Sequence, residues 1–294
     1  MGILKKHIDL LCKNKIKNER LFDGSSLVIG QQSVYAEENE VLDIINKNNI
    51  NYSELKINFN KKDKLTQIKN FKKENKNYIN SKYLFSLLGS TKIKHLDFSS
   101  HENAEIIFNL NNPIKKKLQN KFNNIVDMGS IEHIADPFTV LTNYLKMLKN
   151  NGYLIISTQT SNMVDHGFYS FSPCFFFDFF NANNTKIINC YLRVFNPYFH
   201  EHPGDFYTYK KVGLETPLNT EKAIEIFIIA QKKKTFKFIK PIQGRYQPKN
   251  LNKKNQSSKI KRIILLIIKK YLHYKLQKFL FNFKRGINIV KLNK

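Results

Sequence analysis

The chain has 294 residues, enough for one large α/β domain with appendages. Hydrophobic residues make up 41%, which supports a packed core and excludes a disordered chain, and the formal net charge is +26. Residues 1–225 hold 29 basic and 23 acidic groups, whereas residues 226–294 hold 20 basic groups and none acidic, so the body is near balance and the tail is the part that seeks anionic surfaces. The 44 Lys against 5 Arg, with 36 Asn, is the bias an AT-rich genome produces. Cys12, Cys174 and Cys190 share no metal-ligand spacing and suit a reducing compartment without a disulfide framework. Lys5, Lys6 and Asp9 interrupt the first apolar residues, so no secretory signal is expected. The longest aliphatic run, 263–268, falls far short of the ~20 residues of a membrane span. A cytoplasmic location is the expectation, with the tail able to reach the inner membrane surface.

In chain order, residues 1–24 predict a helix running into Asp23 and Gly24. Residues 26–29 form a short apolar strand that ends in Gly30, Gln31 and Gln32. Residues 36–80 are rich in Lys, Asn and Glu, with weak helical patterns such as Val41, Ile44 and Ile45. Residues 83–88 make a short apolar helix closed by Gly89. Residues 93–98 read as a strand with Asp97 near its end, and 104–110 as another before the turn Asn111, Asn112, Pro113. Residues 124–128 are a buried strand, followed by Gly129, Ser130 and the polar pair Glu132 and His133. Asp136 and Pro137 open a helix with Phe138, Leu141, Leu145 and Leu148 at helical spacing, stopped by residues 149–152. Residues 153–157 are a second buried strand, so this stretch is a βαβ unit and requires a parallel sheet. Residues 187–195 and 223–230 read as strands that can pair as an antiparallel edge.

The order predicts a doubly wound, Rossmann-like α/β sheet, mostly parallel, with 26–29, 93–96, 106–108, 125–126 and 153–157 as its parallel strands. Residues 1–240 make up this domain, with 36–88 as an inserted helical cap, since loops above ~15 residues usually carry structure or function. Residues 241–258 are a polar linker, and 259–294 a tail with a basic amphipathic helix over 259–283.

Ligands of such sheets bind at the carboxyl ends of the strands, where Gly129, Ser130, Glu132 and His133 sit. The run Phe122, Asn123, Asn124, Ile125, Val126, then Ile131, Glu132, His133, then Asp136, Pro137, then Leu148, Lys149, Asn150, Asn151, Gly152 resembles the class I S-adenosylmethionine-dependent methyltransferases. The segment from His166 to Pro173, His-Gly-Phe-Tyr-Ser-Phe-Ser-Pro, is similar to a subgroup found near bacterial surface-polysaccharide genes. The likeness covers residues 25–235 and is specific at 122–173. It implies a seven-stranded sheet with the last pair reversed, S-adenosyl-L-methionine as cofactor, and a hydroxyl of a sugar or glycan precursor as acceptor.

The resemblance places Asp97, followed by Phe98, on the cofactor's ribose; the same aspartate could cap the next helix. It places Asn109 and Leu110 at the adenine, although Asn-Leu-Asn-Asn-Pro is also an ordinary turn. It places Met128, Gly129, Ser130 and His133 along the cofactor's other side, although Gly129 can equally serve to relieve a tight turn. Gly30 and Gln31 form the first loop, where the family carries several glycines and this chain has one. A relative that keeps the fold and has lost the cofactor is therefore an alternative, and a membrane-associated binding protein led by its basic tail is another. Glu132 and His133 can brace the strand-to-helix loop, as the family often uses them. His166 is the candidate base, since neutral imidazole can deprotonate a hydroxyl near pH 7, and Tyr169 can orient the acceptor or meet the methyl donor. A packed loop with Phe168 and Phe171 in the core is the competing reading of that segment. The cluster Phe175, Phe176, Phe177, Phe179 and Phe180 reads as helix core, with a lipid-contacting face as the other option. His200, Glu201 and His202 lack a third ligand at a recognisable spacing, so no metal is expected. In the tail, Ile260, Ile263, Ile264, Ile267 and Ile268 recur among lysines, which fits an anionic membrane surface meeting residues 259–285. A helix packed on the body or in a dimer interface is the alternative. Nucleic acid is the weaker partner, because the tail is rich in Lys rather than Arg and shows no recognition motif.

Overall fold

The structure is a computed structural model and describes residues 2–52, 59–60, 64–66, 77–100, 103–196, 204–211, 220–234, 238–246 and 289–291. Five strands run parallel: β2 (Gly24–Ile29), β5 (Ser90–Asp97), β6 (Ile106–Ile107), β7 (Phe122–Met128) and β8 (Leu148–Ser161). They continue into β9 (Thr185–Phe195), β10 (Asp205–Tyr209), β11 (Ala223–Lys232) and β12 (Ile289–Lys291). The spatial order is β6-β5-β2-β7-β8-β11-β9-β10-β12. The first five strands follow the doubly wound order, with the switch point between β2 and β7. β11 then inserts antiparallel between β8 and β9. This is the expected Rossmann-like sheet. The antiparallel part is larger than an edge pair, because β11 is bonded on both sides and β10 and β12 extend the sheet beyond β9.

Alternation along the strands explains the two faces. Val28, Val126 and Ile155 point into one core, with Ile8 and Leu11 of α1 (Lys5–Lys17). Leu27, Ile125, Leu154 and Ile156 point into the other, with Leu141, Tyr144 and Leu145 of α4 (Pro137–Met147) and Phe176, Phe179 and Phe180 of α5 (Pro173–Ala182). Strands covered on both faces carry consecutive apolar residues, as 27–29, 125–126 and 154–156 do. The phenylalanine cluster is thus helix core. Asp136 caps α4 by accepting from Thr139 N at 3.0 Å, with Pro137 at the first helical position.

The stretch expected to be a helical cap contains strands as well. β1 (Gly2–Leu4) pairs parallel with β3 (Ser33–Glu37), which pairs antiparallel with β4 (Tyr78–Asn80). α2 (Glu38–Lys47) and α3 (Ser81–Leu87) accompany this three-stranded sheet. The strand expected at 104–110 is paired only at Ile106 and Ile107. The tail helix expected at 259–283 and the triplet His200, Glu201, His202 lie outside the described residues. Among the described residues no helix is long and apolar enough to cross a membrane.

Candidate active site

The switch point gathers three strand ends. Gly30 follows β2 with φ at 65°, a left-handed conformation that favours glycine. Its N–H donates to the Leu96 carbonyl at 2.8 Å, which ties the end of β2 to β5. A Cβ placed on Gly30 would stand 3.6 Å from Ser130 Oγ and 3.8 Å from Asp97 Oδ2. Ser130 Oγ in turn donates to the Ile29 carbonyl at 3.3 Å. Gly30, Asp97 and Ser130, drawn from β2, β5 and β7, therefore face one small volume. Gln31 lies next to it, half-buried, and Gln32 folds its amide back onto the Ile29 carbonyl at 2.5 Å.

The other expected cofactor residues take varied positions. Asp97 Oδ1 accepts from Ser99 N at 3.0 Å, so this residue also builds the turn that sequence allowed. Phe98 is exposed at 72%, and Met128 and Leu110 are buried in the two cores. Asn109 Oδ1 accepts from Asn111 N at 3.0 Å, as an ordinary turn requires. Asn143 of α4 fixes that loop, donating to the carbonyls of Leu110 and Asn112.

One residue the sequence reading passed over organises the turn after β7. Asp127 is fully buried and accepts from Ser130 N at 2.7 Å, Ile131 N at 3.1 Å and Tyr144 OH at 2.8 Å. Burial, then the nearby Glu132 carboxyl, pushes its pKa up to about 7. A charged residue inside the apolar run of β7 was the available signal. Asp127 holds the backbone of Ser130 and Ile131 and so aims the next two side chains.

Those side chains are Glu132 and His133. Glu132 is fully buried, and its Oε2 accepts from Thr158 Oγ1 at 2.7 Å. Its carbonyl accepts from Phe168 N at 2.8 Å and Tyr169 N at 3.3 Å. The loop that follows β8 is thus docked on Glu132. Gly167 permits this: a Cβ there would lie 2.8 Å from the Glu132 carbonyl oxygen. The docked loop brings the His166 ring to 5.2 Å from that of His133, centroid to centroid, and His166 Nε2 to 3.7 Å from Glu132 Oε1. Partial desolvation holds both imidazoles below their ordinary pKa, and burial raises that of Glu132. Tyr169 donates its hydroxyl to the Ala135 carbonyl at 2.7 Å.

No known protein-family profile matches the sequence, and no curated protein matches it. Among solved structures, the YcgJ protein of Bacillus subtilis aligns over 77% of this chain and 99% of its own, at 11% identity and a TM-score of 0.39. A SAM-dependent methyltransferase of Archaeoglobus fulgidus aligns over 76% and 94%, at 10% identity and a TM-score of 0.34. A Burkholderia thailandensis 1,6-didemethyltoxoflavin-N1-methyltransferase with bound S-adenosylhomocysteine aligns over 77% and 78%, at 8% identity and a TM-score of 0.35. Likeness at this level carries no weight of its own. The strand order and the converging strand ends carry the structural conclusion: this is a Rossmann-like α/β protein with its candidate site at the switch point.

Proposed function

We propose that this chain is an S-adenosylmethionine-dependent methyltransferase acting on a hydroxyl of a sugar or glycan precursor. The observation that carries the reading is the meeting of Gly30, Asp97 and Ser130 at the switch point of the sheet. Gly30 lets the backbone approach the cofactor's amino-acid end. Asp97 offers a carboxylate to its ribose hydroxyls. Gly129 and Ser130 border it on the side of β7. The acceptor faces the loop docked on Glu132, and His166 is the group there able to take its proton. The acceptor class is supported by the likeness of residues 166–173 to the polysaccharide-associated subgroup. Transfer itself would need alignment more than chemistry: the bound cofactor would supply an electrophilic methyl, Gly30, Asp97 and Ser130 would hold it, and His166 would face the acceptor hydroxyl. The tail, rich in lysine and free of acid, is suited to an anionic membrane surface.

Calorimetric titration of the full chain with S-adenosylhomocysteine tests the reading. Saturable one-site binding is expected. A folded chain that takes up none of it would instead be a protein of this fold without the cofactor, as the single glycine of the first loop would then imply.

A further inference from the structure

Glu132, His133 and His166 are brought to one point by the docked loop. One ligand atom from each lies within 4.8 Å of the other two. Glu132 Oε1 and His166 Nε2 face each other at 3.7 Å, too far for a hydrogen bond. Both atoms are buried, and neither has a hydrogen-bond partner among the described residues. Leaving a buried carboxylate oxygen and an imidazole nitrogen unpaired side by side is costly unless something else satisfies them. Two ligands each about 2.1 Å from a shared tetrahedral ion stand roughly 3.4 Å apart, close to this separation.

We propose that Glu132, His133 and His166 bind one divalent transition-metal cation. Two imidazoles and one carboxylate favour ions such as Zn²⁺, Mn²⁺ or Co²⁺ over the all-oxygen preference of Ca²⁺. Three protein ligands leave coordination positions open, as sites that bind substrate do. The cluster is held before any ion arrives. Thr158 fixes one Glu132 oxygen and leaves the other aimed at His166. The N–H groups of Phe168 and Tyr169 fix the loop that carries His166. His133 is solvent-exposed and gives the ion a way in. Spacing along the sequence conceals the site, because the third ligand arrives on a separate loop.

Its chemical use rests on the methyltransferase reading. An acceptor hydroxyl bound to the ion becomes more acidic and gives its proton to water. The oxygen then forms the new bond to the methyl carbon, the carbon–sulfur bond breaks, and its electron pair stays on sulfur. His166 then serves as a ligand rather than as a free base.

The test uses the full chain, stripped with chelator and dialysed, then titrated separately with Zn²⁺, Mn²⁺ and Co²⁺ by calorimetry. One ion per chain is expected, and the Co²⁺ form should show the visible absorption of a protein-ligated ion. Glu132→Gln, His133→Ala and His166→Ala should each weaken uptake by more than the roughly 10–100-fold that loss of an outer partner costs. A double variant His200→Ala, His202→Ala should leave uptake unchanged. The proposal is overturned if the folded chain binds none of the three ions, if uptake survives in all three single variants, or if it is lost only in the double variant. Should Glu132→Gln fail to fold, His133→Ala decides, since that side chain is exposed. Titration with S-adenosylhomocysteine on the metal-free chain keeps the two proposals apart. Cofactor uptake without metal uptake removes this one alone, and the reverse removes only the methyltransferase reading.

Discussion

His7 Nε2 and Glu225 Oε1 stand 3.0 Å apart across 218 residues of sequence, both side chains buried. His7 Nδ1 accepts from Leu4 N at 3.1 Å, so the single ring proton sits on Nε2 and is donated to the carboxylate. Arg193 of β9 supplies the counter-charge at 2.8 Å from Glu225 Oε2, and Ser157 of β8 donates to the same carboxylate. The guanidinium also lies over the Phe195 ring at 3.8 Å. Helix α1, β8, β9 and β11 are thereby joined by one polar knot.

The knot predicts acid sensitivity. Burial lowers the His7 pKa against the pull of Glu225, so native His7 refuses a proton that the unfolded chain accepts below about pH 6.5. Burial pushes Glu225 up, but Arg193 and His7 outweigh it and hold the carboxyl down at about 2. Its contribution is complete above the unfolded value of about 4.3 and is lost as pH falls from there towards 2. Buried His95, held at about 4 by burial first, acts in the same direction as His7. Asp127, with its pKa pushed up to about 7, pulls the other way, so the His7 contribution is read as a difference: in thermal unfolding followed from pH 8 to pH 4, the native chain should lose stability relative to His7→Gln from about pH 6.5 downwards. A difference that stays constant with pH would count against His7 as a source.

Asp97→Ala is expected to weaken S-adenosylhomocysteine binding by about 10- to 150-fold, the equivalent of a lost charge-assisted hydrogen bond of ~1.5–3 kcal/mol. Because Asp97 also accepts from Ser99 N, Asp97→Asn serves as its control, keeping an acceptor for the turn while removing the charge. Calorimetry on both variants reads the outcome. Unchanged affinity in a folded Asp97→Ala chain would take the ribose role away from this residue.

Gly167→Ala places a carbon 2.8 Å from the Glu132 carbonyl oxygen, so either the loop lifts or the β7 turn moves. Overpacking of this kind typically costs ~1–3 kcal/mol. Denaturant unfolding should show that loss, and methyl transfer should fall further than the loss of folded protein explains, because His166 travels with the loop. A variant with unaltered stability would mean that the loop does not dock on Glu132.

Removal of residues 251–294 takes away 13 basic groups and no acidic one. Each basic residue near an anionic bilayer contributes about 1 kcal/mol, so a few suffice for attachment. The full chain should sediment with anionic vesicles at low salt and be partly released as salt rises. The shortened chain should stay in solution and remain folded, since among the described residues the part of the tail that pairs with the sheet is β12, on Tyr207, Thr208 and Tyr209 at the edge strand β10. Vesicle binding that survives the deletion would assign attachment to the body instead.

The parts of this fold that are legible in the sequence are those whose signals are local. The βαβ unit announces itself through the apolar runs of β7 and β8 and through Asp136 and Pro137 at the start of α4. The stop after that helix is expected at residues 149–152, but the helix already ends at Met147, where Leu148 turns to extended backbone and opens β8. What stayed hidden depends on partners distant in sequence. β1, β3 and β4 are short and half-buried, and each exists because another short segment lies beside it. β10 and β12 are likewise defined by their neighbours. In the site, Gly30, Asp97 and Ser130 were each visible at a strand end, since strand ends can be located from local pattern. The meeting of Glu132 with His166 was not, because it is made by backbone bonds from Phe168 and Tyr169 that no spacing rule encodes.

The insertion of β11 between β8 and β9 bears on how the polypeptide is made. A nascent chain that has emerged as far as Phe195 has both flanking strands but lacks the one that joins them. Each flank then shows a row of unsatisfied backbone groups, the arrangement most prone to pairing with a stranger. Only when Ala223–Lys232 leaves the ribosome can the gap be zipped and His7 find Glu225. The amino-terminal half cannot complete its core vectorially, and its maturation waits on the last third of translation. Ribosome pausing before Lys232 should accordingly leave a species that chaperones hold, and release past it one that they let go.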